Sequence, residues 1–246
     1  MSKEKLERTT THKIMVIFVL ALALLLSTTL IFAAPSGITI TSNSTEQPVE
    51  TAASSLTTAG GTFTTLTLNG TFQNPRWKAY VGNISGILTL DDSAGYSIYD
   101  WNLISISGEV YVSRNASVTW SNINCSNVAN ITSEDRFLNI NSSSADSINK
   151  TFNTSVHRGF YVGTKQIINS SCRSVATYLN DTRQSANENA KFQEVTLSDS
   201  VNLVYAILLE DNVLGYDNSR YDFQLIVPED ETKVTPTTYY FYAEIS

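Results

Sequence analysis

The sequence predicts an all-β fold: a single sandwich or jelly-roll-like domain over residues 62–246, with a short helical insertion, behind an N-terminal hydrophobic signal or anchor segment. Three observations carry this. Short β-type runs recur at 8–12-residue spacing with turn residues between them. Helical periodicity is confined to one short region in the middle. The polar surface is built from 30 Ser, 29 Thr and 21 Asn in 246 residues, while only 16% of residues are charged, against roughly 25% in ordinary soluble domains.

At the N-terminus, residues 1–13 carry Lys3, Lys5, Arg8 and Lys13, and residues 14–34 carry no charge. An uncharged run of that length, at ~1.5 Å per residue, matches the ~30 Å hydrocarbon core of a bilayer. The basic flank directs everything after Ala34 outward. A cleaved signal peptide and an uncleaved signal anchor both fit. Export of the remainder to the outer face of the membrane, or its secretion, is the expectation in either case. Residues 35–61 have the Ser/Thr/Ala/Gly composition of a linker. Within them residues 37–41 alternate Ile38 and Ile40 with Thr39 and Thr41, as an extended strand does. That pattern on a flexible arm suits pairing with the open sheet edge of a neighbouring subunit.

Strand patterns then follow in order. Residues 64–69 place Leu66 and Leu68 on one face before the Asn69-Gly70 turn signal. Residues 76–81 follow the Asn74-Pro75 loop pair. Residues 86–90 and 96–101 flank a five-residue hairpin loop, Asp91 to Gly95. Residues 108–113 and 117–120 are further short runs. In the middle, Thr132 to Asp135 opens a short helix carrying Phe137, Leu138 and Ile140. Ile148 and Phe152, four apart, suggest another helical turn. This region reads as a solvent-facing insertion. Strands resume at 159–163, 173–179, 192–197, 203–209, 221–227 and 238–245. Residues 203–209 are apolar on both faces, which predicts a central strand covered on both sides.

Composition also excludes functions. A net charge of -7 removes a basic nucleic-acid footprint. Two His and two Cys are too few for a four-ligand structural zinc site. His157 is the one histidine outside the N-terminal flank, and there is no G-x-S-x-G, H-E-x-x-H or P-loop motif. The expectation is a protein that is not an enzyme. The alternatives are a Cys thiol served by His157 and a glycosidase carboxylate pair, which sequence alone cannot locate.

Cys125 and Cys172 in an exported chain read as one disulfide. N-x-S/T sequons stand at Asn43, Asn69, Asn83, Asn115, Asn124, Asn130, Asn141, Asn149, Asn153, Asn169 and Asn180. That is roughly twice what this composition places by chance, and it agrees with N-glycosylation. None follows Asn180, so the last 66 residues are the candidate for a buried, paired or docked sheet region. Asp211, Asp217 and Asp222 crowd one loop with Asn212, Asn218 and Gly215. Oxygen donors at this spacing suit Ca²⁺, and equally suit tight turns. Trp77, Tyr80, Tyr96, Tyr99, Trp101, Tyr111 and Trp120 either fill the core or stack on sugars.

The ordered segments RWKAYVGN (76–83), LTLDD (88–92), IYDW (98–101), GEVY (108–111), GYDNSRYDF (215–223) and YYFYAEI (239–245) resemble a functionally uncharacterised set of exported archaeal cell-surface proteins. The resemblance implies a cell-surface setting and no particular activity. Two functions follow. One is an N-glycosylated structural or adhesive surface protein, a subunit of a surface assembly that self-associates or meets cell-envelope glycans. The other is an extracellular carbohydrate- or calcium-dependent binding module.

Overall fold

A computed structural model describes residues 34–245. The predicted hydrophobic segment, residues 14–34, lies outside the described residues except for Ala34. Among the described residues no helix is long and apolar enough to cross a membrane.

The centre is the antiparallel pair β10 (Gln193–Ser198) and β11 (Leu203–Leu208), which runs in register from Glu194 opposite Ile207 to Ser198 opposite Leu203. Every residue of both strands is buried. The central, doubly covered strand expected at 203–209 is therefore present. β5 (Gly108–Ser113) pairs with the far side of β11, and β15 (Tyr240–Ile245) pairs with β5. At the start of β5, Gly108 sits at φ +119°, and a Cβ there would collide with the Glu244 carbonyl. This close approach admits only glycine.

The other side of β10 is completed by two short strands placed end to end. β6 (Asn124–Cys125) pairs with Leu197 and Ser198, and β9 (Ser174–Ala176) pairs with Gln193 to Val195. Thr196 lies between them. It accepts the Ser126 N–H (3.1 Å) and donates its own N–H to Arg173 (2.9 Å).

The last strand of this sheet is β1 (Ser36–Gly37), antiparallel to Ala243 and Tyr242 of β15. The Ile38 N–H extends the pairing to Phe241 O at 3.3 Å. This corrects one expectation: the segment assigned to a linker contributes a strand, and of the extended pattern at 37–41 Gly37 and Ile38 pair with the β15 edge of their own chain. Beyond Ile38 the chain leaves the sheet.

Each face of the sheet has its own core. On one, Val110, Val112, Tyr205, Ile207 and Ala243 meet Leu225 and Val227 of β14 (Phe223–Pro228), together with Ile131, Ile148 and Phe152. β14 forms a separate two-stranded ribbon with β2 (Trp77–Gly82), just after the short pair β12 (Val213–Leu214) and β13 (Arg220–Tyr221). On the opposite face, Tyr111, Val195, Leu197, Val204 and Leu208 meet Ile123 and the hairpin of β7 (Phe160–Val162) and β8 (Lys165–Ile167). The fold is thus all-β and antiparallel with few helices. One central sheet is covered on each side by a small ribbon, and helices join one cover.

The helical region is α1 (Val128–Phe137) and α2 (Ile148–Thr151). α1 begins four residues before the expected start. Asn127 caps it reciprocally with Asn130, each side chain accepting the other's backbone N–H. The region is not solvent-facing: Ile131, Leu138, Ile140, Ile148 and Phe152 are buried.

Two expected strands do not form. Residues 117–120 lead into a short 3-10 turn at Trp120–Asn122. Residues 64–69 pair with nothing, and all of them are exposed. Alternation supplied the strand pattern there, but among the described residues nothing supplies a partner edge.

Candidate functional site

The candidate site is an interaction surface on the ribbon of β3 (Ile87–Asp91) and β4 (Ser97–Asn102). The loop between them closes as the sequence indicates. Asp92 N–H donates to Tyr96 O at 2.9 Å, and Asp92 Oδ1 accepts the N–H groups of Ala94 and Tyr96 at 2.9 Å. Gly95 takes the left-handed conformation the turn needs. Register places Leu88 opposite Trp101 and Leu90 opposite Tyr99, so these four side chains share one face. The other face carries Thr89, Asp91, Asp100 and Asn102 together with Ile87 and Ile98. Every residue of both strands is exposed, and among the described residues no third strand joins them.

The aromatic residues therefore divide. Tyr111 is buried, and Trp77, Tyr80 and Trp120 pack against the two cores. Trp120 lies edge-on between Tyr111 (5.2 Å) and Tyr242 (5.1 Å). Tyr96, Tyr99 and Trp101 remain on the ribbon, and the rings of Tyr99 and Trp101 meet edge to face at 4.9 Å. They do not form a flat row, and two leucines share their surface.

Cys125 and Cys172 form a disulfide with Cα atoms 4.9 Å apart. It ties the end of β6 to the turn preceding β9, clamping both short strands onto β10. The thiol alternative therefore fails on chemistry. His157 also has no basic lone pair to offer. Its Nε2 accepts the backbone N–H groups of Ser171 (3.2 Å) and Cys172 (3.0 Å), and its Nδ1 donates to Arg158 O (2.7 Å). Burial pushes its pKa down, which keeps the ring neutral. His157 is a strut for the disulfide turn.

The acidic loop does not assemble a cation site. Asp222 is buried, and its two oxygens accept the N–H groups of Asn212 and Ile84, each at 2.9 Å. Asp217 closes its own turn by accepting Ser219 N–H (2.9 Å) and Tyr221 O–H (3.1 Å). Asp211 is exposed. Among the described residues no group of three His, Cys, Asp or Glu side chains is placed to hold a metal. Backbone amides occupy both Asp222 oxygens and one Asp217 oxygen, and the Tyr221 hydroxyl occupies the other, so the turn reading accounts for Asp217 and Asp222.

Nine of the sequon asparagines are exposed: Asn43, Asn69, Asn83, Asn115, Asn124, Asn141, Asn153, Asn169 and Asn180. Asn130 and Asn149 are half-buried. Asn130 is committed to the α1 cap, and the buried Asn149 Oδ1 has no hydrogen-bond partner.

One further cluster carries no signal in local sequence pattern. Glu109 and Glu244 stand directly opposite one another on β5 and β15. The Gly163 N–H, from the β7–β8 turn, donates to Glu244 at 2.8 Å. The Tyr111 hydroxyl donates to Tyr161 O at 3.1 Å and lies 3.5 Å from Glu109. Burial, then the neighbouring Glu244 charge, pushes the Glu109 carboxyl up to about 8, although the more distant Arg158 opposes this. Burial raises Glu244 as well. Like charges directly opposed on neighbouring strands are destabilising, so the state with Glu109 protonated is favoured. Arg158 itself is engaged by Glu210 at 2.7 Å, with Lys191 2.9 Å from the second Glu210 oxygen.

Compared with protein-family models, curated proteins and solved structures, the chain finds no match.

Proposed function

We propose that this protein is an exported, N-glycosylated structural or adhesive protein of the cell surface, held at the membrane by its N-terminal segment or released. On this reading its work is display and association through folded β-structure. The observation that carries the reading is the placement of nine of eleven sequon asparagines in exposed positions. The disulfide that clamps the β10 edge agrees with an oxidising compartment. The finer architecture we infer is one sandwich-like domain with a shared central sheet, spanning the compact unit Ala34–Ser246.

The rival function, a carbohydrate-binding module, draws on Tyr99 and Trp101. Their edge-to-face geometry beside Leu88 and Leu90 favours a protein strand over the flat face of a sugar.

The test is intact-mass and glycopeptide mass spectrometry of the native protein. The expected result is glycan at several of the nine exposed sites, none at Asn130 or Asn149, and a Cys125–Cys172 bridge. A chain recovered with all eleven sites bare would remove the reading.

A further inference from the structure

We propose that residues 66–72 of one copy add as an antiparallel strand to the free edge of β3 in a second copy, with Leu66 opposite Leu90 and Leu68 opposite Leu88. The proposal rests on the surface-association reading above and deepens it by naming both partners of the contact.

Two unsatisfied features of the same chain match. A ribbon of two strands is at best marginally stable in water, and a third strand on an apolar face is the usual remedy. The β3–β4 ribbon has that apolar face and exposed edges with unpaired N–H and C=O groups. Residues 66–72 have the complementary pattern: Leu66, Leu68, Gly70 and Phe72 on one side, Thr67, Asn69 and Thr71 on the other. Leu68 and Phe72 are 85% and 88% exposed. In the proposed register Gly70 falls opposite Gly86, and Phe72 falls opposite Ile84. The sequon at Asn69 is on the polar side, so a glycan there leaves the apolar side clear. No charged residue lies between Glu50 and Arg76, so the segment brings no repulsion to a ribbon whose other face holds Asp91 and Asp100.

Tethering excludes the chain's own ribbon. Asp146 holds the residues just before β2: it accepts Asn74 Nδ2–H at 3.1 Å and, through its carbonyl, Trp77 Nε1–H at 2.8 Å. β2 then runs its length, roughly 17 Å at about 3.4 Å per residue, before the chain reaches Ile84. Ile84 is itself held by its N–H bond to Asp222. Phe72 stands two residues from Asn74, a reach of about 7 Å. It falls roughly 10 Å short of its own Gly82, whereas strand pairing requires Cα atoms about 5 Å apart. A second copy has no such restraint.

The test uses the full chain, co-expressed as two differently tagged copies. One carries Leu66→Cys and the other Leu90→Cys, and mild oxidant is added to cells. The control pair replaces Leu90→Cys with Val234→Cys, at a fully exposed position off the ribbon. The expected result is a mixed-tag disulfide dimer at least tenfold above the control, mapped by mass spectrometry to positions 66 and 90, with Cys125–Cys172 intact. The Leu68→Cys and Leu88→Cys pair should behave alike. Cross-linking no greater than the control overturns the proposal. So does a single copy carrying both Leu66→Cys and Leu90→Cys that closes only on itself. A glycosylated surface protein that gives no cross-link sinks this inference alone. A clean cross-link on a chain with bare sequons sinks the proposed function alone.

Discussion

The β10–β11 pair and the β3–β4 ribbon are both antiparallel hairpins of similar length, and the chain treats them in opposite ways. In the first, every residue is buried and both faces are covered. In the second, every residue is exposed, Ile98 to 81%. Apolar content does not explain this, because Leu88, Leu90, Tyr99 and Trp101 equal many core residues in hydrophobic area. The difference is supply. Tyr205 and Ile207 find Phe152, Leu225 and Val227 within the chain, and Val204 and Leu208 find Phe160 and Val162. Nothing in the described residues covers the ribbon face. Buried apolar area stabilises a fold only where a second surface excludes water from it.

Substitutions in the two hairpins test this contrast. The largest effect belongs to the centre. Ile207→Ala should cost about 2–5 kcal/mol, read as a lower urea midpoint, because a fully buried side chain leaves a cavity. Next comes the clamp on the β10 edge. Removing it by Cys125→Ser with Cys172→Ser should cost about 2–4 kcal/mol, since the bridge spans a sequence separation of 47 residues. A reduced protein that melts with the oxidised one would show that β6 and β9 need no clamp.

A further effect concerns pH at the β5–β15 junction. Glu109 titrates at about 8 in the fold and in the ordinary carboxylate range when unfolded. The folded state therefore holds the extra proton, and stability is fully present below pH ~4. It is lost as pH rises through the window up to about 8. Melting temperature should fall across that window, at about 2–4 °C per kcal/mol for a domain of this size. Glu109→Gln should flatten the fall; an unchanged slope would take the proton away from this pair.

Asn127→Ala should cost about 1 kcal/mol by removing the reciprocal cap of α1. The smallest effect sharpens the contrast most. Leu90→Ala should change monomer stability by less than about 0.5 kcal/mol, although the same kind of truncation at Ile207 is severe. A large loss at Leu90 would mean that the ribbon belongs to the core after all.

Much of the fold was legible from local pattern. The doubly apolar run at 203–209 announced a central strand, and the alternation in 108–113 announced β5. The Asp91–Gly95 loop residues announced a hairpin, because turn chemistry acts within a few residues. The acidic loop and the aromatic residues were legible only as alternatives. Asp222 could ligate a cation or accept two amides, and the choice depends on Ile84, which is remote in sequence. Trp101 and Trp120 are the same residue type in similar contexts, yet one is exposed and the other packs between two tyrosines.

Local chemistry along the chain thus sets the strand alternation, the turns, the pairing of the two cysteines and the all-β class. These follow from side-chain period, backbone preference and the number of thiols, which need no knowledge of distant neighbours. Which alternating segments found an edge depended on long-range packing. Ser36–Gly37 found β15, and residues 64–69 found none. That packing also decided that the helical region is core, and that Glu109 and Glu244 face each other. Each of these turns on which surface lies opposite, and a strand's own residues do not specify that surface.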